Sequence, residues 1–112
     1  MRGGAEGGSF SLRAGYAAMP IFEWDDEKNR RNKSKHGVSF ERASAVFSDF
    51  TAEDFLDDRE DYGEERWLTI GMAQGDILAV VNVQRGEVYR IISARKATRE
   101  ETDAYFENAR RA

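Results

Sequence analysis

The apolar positions of this chain change their spacing twice. Phe40, Ala43, Val46 and Phe47 recur at the three- and four-residue intervals of a single helix face, so residues 40–48 predict a helix with Ser39 as its N-cap. Further on the period drops to two. Residues 66–72 alternate Trp67, Thr69 and Gly71 against Leu68, Ile70 and Met72, which predicts a strand. Residues 77–83 form the most apolar run and predict a central strand, and 88–94 predict the last one. Ala73-Gln74-Gly75-Asp76 and Gln84-Arg85-Gly86-Glu87 read as the turns between them. A short strand fits Glu53–Asp57 around Phe55 and Leu56. Near the end, Thr98-Arg99-Glu100-Glu101 is a capping box that opens a helix running to about Arg110.

The stretch before the first apolar helix is different. Residues 25–36 open with Asp25, Asp26 and Glu27, where a helix dipole favours acids, and close on Gly37, a C-terminal cap residue. The helix they predict carries almost no apolar side chain. Lys28, Asn32, Lys35 and His36 stand at i, i+4, i+7 and i+8, which places them on one face. Such a face is either a solvated surface, with His36 only completing the helix end, or a phosphate-binding wall with a group able to move a proton near neutral pH.

The order α-α-β-β-β-β-α, with short turns between consecutive strands, predicts an α+β fold: two N-terminal helices, a four-stranded antiparallel meander and a C-terminal helix. Residues 1–18 are Gly-rich and unpatterned, and lack the apolar stretch of a signal peptide. They read as a flexible leader or an expression-derived tail ahead of a single domain over 19–112. No segment approaches the length of a membrane span. The absence of Cys removes disulfides and thiolate metal sites, and one His cannot make a multi-histidine site, so no metal is expected. No cofactor motif is visible, and the protein is expected in the cytoplasm.

A net charge of −4 speaks against a nucleic-acid partner until its distribution is followed. Residues 28–37 hold five cations and no acid, residues 85–99 hold five cations against Glu87, and residues 49–65 hold nine acids against Arg59. That pattern predicts a basic cleft with an acidic flank. Two arginines stand out. Arg66 begins a strand in Gly63-Glu64-Glu65-Arg66-Trp67. Arg95 follows the last strand in Ile92-Ser93-Ala94-Arg95, next to a helix N-terminus where phosphates bind readily and where a guanidinium can clamp one with two hydrogen bonds. Tyr62, Trp67, Tyr89 and Tyr105 are either core aromatics or platforms for bases.

Phe22-Glu23-Trp24-Asp25, Lys28, Asn32, Lys35-His36-Gly37-Val38-Ser39-Phe40, Arg59, Gly63-Glu64-Glu65-Arg66-Trp67, Ile92-Ser93-Ala94-Arg95, Glu101 and Tyr105 together resemble the BrnT toxin family. BrnT is the ribonuclease half of the BrnT/BrnA type II toxin–antitoxin systems. The likeness spans Ile21 to about Arg110. It implies a RelE-like fold and a metal-independent endoribonuclease toxin that halts translation and growth. It also implies a hetero-oligomer with a DNA-binding antitoxin similar to BrnA, the complex repressing its own operon. For that chemistry Arg95 and Arg66 are the candidates for transition-state stabilisation, and Lys28 and His36 for phosphate contact or proton transfer. Glu64 is a weaker candidate base, and Asn32, Lys35 and Arg90 are candidate RNA contacts. The alternative from another class is a non-catalytic module whose basic face binds a partner protein or nucleic acid.

Overall fold

The structure, a computed structural model, describes residues 20–111. Strand β1 (Ile21–Glu23) leads into helix α1 (Asp26–His36) and the short helix α2 (Phe40–Ala43), which tightens into a 3-10 turn over Ser44–Ser48. Strands β2 (Glu53–Asp57), β3 (Arg66–Ala73), β4 (Asp76–Arg85) and β5 (Val88–Lys96) follow, and helix α3 (Arg99–Arg111) closes the described chain. The expected leader at residues 1–18 lies outside the described residues.

The α+β class and the β2–β5 meander are as expected, but the sheet is not purely antiparallel. It has five strands in the order β1-β5-β4-β3-β2, and β1 pairs parallel to β5, matching Ile21 with Val88 and Glu23 with Arg90. Three residues are too few to carry a readable alternation, and only the tertiary fold brings them beside β5. The second helix also departs from expectation. It holds α-geometry for one turn, and then Ser44 donates its hydroxyl to Glu41 O (2.7 Å), a local bond that competes with regular helix continuation.

The caps follow the sequence closely. Asp25 accepts from Lys28 N, Ser39 accepts from Arg42 N, and Gly37 ends α1 in the left-handed region at φ 74°. Thr98 and Glu101 exchange the two bonds of a capping box, 2.8 and 3.1 Å. The β3–β4 hairpin turns through Gln74 and Gly75, both at positive φ, the conformation that matches strand twist in a two-residue loop.

Strand alternation sorts the sheet into two faces. One face carries Ala73, Leu78, Val80, Ile91 and Ala94 and is covered by Val38, Phe40, Ala43, Val46 and Phe47 from α2 and its surroundings. Phe22, Trp24 and Tyr89 seal its border through ring contacts at 5.2–6.2 Å. Gly71 lets this layer close, because a Cβ there would stand 2.9 Å from the Ala52 Cβ and 3.1 Å from the Val46 Cβ. The other face carries a smaller cluster, Ile70, Ile77 and Ala79, under Tyr105 of α3. Tyr105 donates to Asp49 Oδ2 (2.6 Å), which ties α3 to the segment after the 3-10 turn.

Candidate active site

The face under α3 is only partly covered. Its upper row, Arg95–Ala79–Ile70–Glu53 across β5 to β2, lies at the level of α3. Its lower row runs through Val83, Arg66 and Asp57, where the β2–β3 connection returns with Tyr62 against Arg66. Between them the row Ser93–Val81–Leu68–Phe55 is half-buried at its first three positions and exposed at Phe55. The result is a trough across the strands, three inter-strand spacings or about 14 Å from end to end.

Arg66 and Arg95 stand on opposite sides of this trough. They do not share a strand end. β3 and β5 run the same way, so the start of one and the finish of the other lie at opposite ends of the sheet. Arg95 is level with Ile70, and Arg66 is four residues from Ile70, an even number, which puts both guanidinium groups on one face. Their Cα atoms are therefore about 16 Å apart, within the combined reach of two arginine side chains across a bound strand. Arg95 also falls inside β5 and not beyond it.

Arg66 is held without being saturated. Its guanidinium carbon sits 4.1 Å from the centre of the Tyr62 ring, a cation–π contact, and its Nε is 3.5 Å from Glu64 Oε2. The Nε atom is buried and, at that distance from Glu64, has no hydrogen-bond partner. Glu64 in turn pairs with Arg85 at 2.9 Å. Of the three candidate proton carriers, Glu64 is the one the structure brings beside a candidate arginine.

Arg95 is fixed by Glu101. Nη1 and Nη2 donate to the two carboxylate oxygens at 2.8 and 3.1 Å, an end-on pair. Glu101 also receives Thr98 N, so a single carboxylate caps α3 and aims Arg95. The Arg95 bonds, with Thr98 adding, hold the Glu101 carboxyl down at about 2, and Glu101 raises Arg95 in return. An end-on pair leaves the side edge of the guanidinium, Nε with Nη2, for a second planar ligand such as a phosphate. The N-terminus of α3 is by contrast already served by Glu101, which accepts from Thr98 N.

Arg59, not among the candidate site residues, belongs to this face. Its Nε and Nη2 grip the nearly buried Asp57 carboxylate at 2.7 and 2.8 Å, and this pairing holds Asp57 below the usual carboxylate range. The guanidinium itself is largely exposed, and its charge is felt at Arg95, where it opposes protonation. The signal for Arg59 was present as the lone cation of an acidic loop. The pairing that makes it part of the site is tertiary.

The α1 face separates into two kinds of residue. Asn32 is buried and takes no part in a solvent-facing wall. Its Nδ2 donates to Val38 O (2.9 Å) and Ala94 O (2.7 Å), and its Oδ1 accepts from Ala94 N (3.2 Å). The carboxamide thus pairs with Ala94 as a neighbouring strand would, covering the edge of β5 beyond the reach of β1. The expectation of Asn32 as an RNA contact does not survive that geometry. Lys28, Lys35 and His36 are exposed, and among the described residues none of the three has a side-chain hydrogen bond. Arg90 pairs across the β1–β5 ladder with Glu23 at 3.3 Å. The aromatic candidates are engaged too: Tyr62 lies under Arg66, Tyr89 packs on Phe22 and Phe47, and Tyr105 is buried.

No three His, Asp or Glu side chains among the described residues are grouped as metal ligands would be. No helix among them is long and apolar enough to cross a membrane. No curated protein sequence matches the chain. The family model for the ribonuclease toxin BrnT of type II toxin–antitoxin systems matches residues 24–101, from the aromatic border of the closed face to the carboxylate that fixes Arg95. A match over more than half of its length makes this chain a member of the BrnT family of ribonuclease toxins.

Proposed function

We propose that this chain is an endoribonuclease toxin that cleaves RNA without a metal, with Arg95 and Arg66 stabilising the transition state. The observation that carries the proposal is the pair of guanidinium groups on one open sheet face, each anchored by a carboxylate. In this reaction the 2′-oxygen of the substrate attacks the adjacent phosphorus. A base takes the 2′ proton, the P–O5′ bond breaks, and an acid returns a proton to the leaving oxygen. The products are a 2′,3′-cyclic phosphate and a 5′-hydroxyl. DNA lacks the nucleophile and is not a substrate. Negative charge grows on the phosphorane oxygens, which is where preorganised donors act most strongly.

The geometry favours Glu64 as the proton acceptor, since it lies beside Arg66, while Lys28, Lys35 and His36 line the outer surface of α1 as phosphate contacts. Glu64→Gln and His36→Gln separate these roles. Loss of rate in the first with retention in the second supports the assignment; the reverse outcome moves proton transfer to His36. Arg95→Ala and Arg66→Ala are each expected to lose about 100-fold in RNA cleavage while remaining folded by circular dichroism. Full activity in both folded variants, or wild-type activity abolished by EDTA and restored by a divalent cation, overturns the mechanism.

The family implies an antitoxin partner. A BrnA-like protein that covers the cationic face, silences cleavage and binds operator DNA in the complex is the reading in keeping with it. Growth arrest on expression of this chain alone, relieved by its operon neighbour, tests that assignment.

A further inference from the structure

The middle row of the open face ends on an aromatic ring that the fold does not use. Phe55 stands directly across from Leu68 on the outermost strand and is 46 % exposed, although Leu68 itself packs against the Ile70–Tyr105 cluster. Two residues along β2 on the same face is Asp57, whose carboxylate draws the Arg59 guanidinium back alongside the strand. The row leading to Phe55 is walled by α3 and Arg95 on one side and by Tyr62 and Arg66 on the other. An exposed aromatic at the mouth of a trough ringed by guanidinium groups is the pairing that single-stranded nucleic acid needs: cations for the phosphates and a flat apolar face for a base.

We infer that single-stranded RNA crosses the sheet along the row Ser93–Val81–Leu68–Phe55, with a base stacked on Phe55 and the neighbouring phosphate held by Arg59. The inference rests on the ribonuclease reading above and adds a binding subsite to it. The acidic character of β2 does not oppose it at this point. Asp57 is matched by Arg59, and Asp54 turns to the other face, where it accepts from Thr69 Oγ1 at 2.5 Å. Glu53 shares the face with Phe55, so the phosphate lies on the Arg59 side of the ring and not on the Glu53 side. Arg59 chelates Asp57 through Nε and Nη2 and has Tyr62 as a further side-chain partner, and its guanidinium is still largely exposed to meet that phosphate. Of the four aromatics that the sequence suggested for stacking, Tyr62 and Tyr89 are engaged by neighbouring side chains, Tyr105 is buried and Trp67 alternates onto the opposite face of β3, and Phe55 takes their place.

The experiment uses a short single-stranded RNA carrying one 2-aminopurine and methylated at every 2′-hydroxyl, so that it binds without being cut. Wild-type protein is expected to quench the 2-aminopurine. Phe55→Ala should weaken binding about 10-fold and abolish the quench, Phe55→Leu should likewise fail to quench, and Phe55→Trp should restore it. Arg59→Ala should weaken binding and lower the slope of log affinity against log salt by about 1. On unmethylated RNA, Phe55→Ala should raise KM and leave kcat close to wild type, because the ring lies away from the reacting phosphate. Equal affinity and quench in wild type and Phe55→Ala overturn the stacking subsite, and an unchanged salt slope in Arg59→Ala overturns the phosphate contact. Loss of antitoxin binding in Phe55→Ala with RNA binding intact also overturns it, by assigning the ring to a protein interface. A wild-type protein that binds the methylated RNA but cleaves no RNA refutes the ribonuclease reading alone, since the subsite is scored on the uncleavable oligonucleotide.

Discussion

The two faces of the sheet are built to opposite rules. On the closed face, Phe40, Phe47, Leu78, Val80 and Ile91 are almost fully buried, and the 3-10 turn approaches so closely that only Gly71 fits beneath it. On the open face the apolar cluster is four residues, and the space beside it is given to Arg66, Arg90 and Arg95, each paired with one acid. Packing of the closed face specifies the fold and holds the sheet rigid. That rigidity lets the open face carry half-exposed charges in fixed positions, where burying more apolar surface would have closed the trough. The difference teaches where to look for each kind of effect: stability on one face, activity on the other.

Substitutions can break this division or sharpen it. The largest effect is expected from Phe40→Ala, which should cost about 3–5 kcal/mol in urea or thermal unfolding, as for a fully buried ring whose site cannot collapse. A change under 1 kcal/mol would mean the closed face does not hold the fold. Next comes Arg95→Ala, with about 100-fold less RNA cleavage, equivalent to about 2.7 kcal/mol of transition-state stabilisation, in a protein that remains folded but loses the stability its pair with Glu101 contributes. Asn32→Ala should cost about 1–3 kcal/mol of stability, because it leaves Ala94 N, Ala94 O and Val38 O short of partners in a buried place. If it lowered RNA affinity with stability intact, Asn32 would be a contact after all.

A pH series addresses the carboxylate that aims Arg95. The Glu101 carboxyl is held at about 2 in the fold against an ordinary 4.5, so the folded state favours its ionised form. That contribution is full above about pH 4.5 and disappears as pH falls through about 2. Wild-type stability should therefore drop across that acid window, and Glu101→Gln should flatten that part of the profile. At neutral pH the same variant should cleave RNA more slowly, with Arg95 present but less well held. The smallest effect is expected from Lys35→Ala. Its stability should stay within about 0.5 kcal/mol of wild type, and its RNA affinity should fall modestly, with a salt slope reduced by about 1.

Much of the fold was legible because local chemistry decides it. The caps at Asp25, Ser39, Gly37 and Thr98, the capping-box carboxylate Glu101, and the alternation along β3 each depend on residues within a few positions of one another. β1 was not legible, since three residues carry no period and its pairing with β5 spans most of the chain. The apolar spacing over 40–48 fits either an α-helix or a 3-10 turn, so the change from one to the other is not legible in it.

The site was legible in its residue types and less so in its arrangement. Arg66 and Arg95 are candidates on sequence, and the structure puts them on one face by even spacing along the strands. Asn32 shares a helical stripe with Lys28 and Lys35, yet it faces Ala94, because helical spacing specifies a common side and not what that side meets. Sequence marks Arg59 only through the family resemblance and Phe55 only as a strand residue, since the worth of a loop cation or a strand aromatic depends on what stands across from it.

Sequence alone therefore determined the α+β class, the approximate extents of α1, α3 and the β2–β5 meander, and the presence of two segregated clusters of cations. It also determined membership in the BrnT family, through residues that survive as a pattern without any coordinates. Only the tertiary structure decided which sheet face is open, that Glu101 aims Arg95, that Asn32 seals an edge, and that Arg59 and Phe55 flank the same trough. The physical reason is range. Capping and periodicity act within one or two turns of chain, whereas a binding face is assembled by registers between strands and by whichever layer fails to cover it.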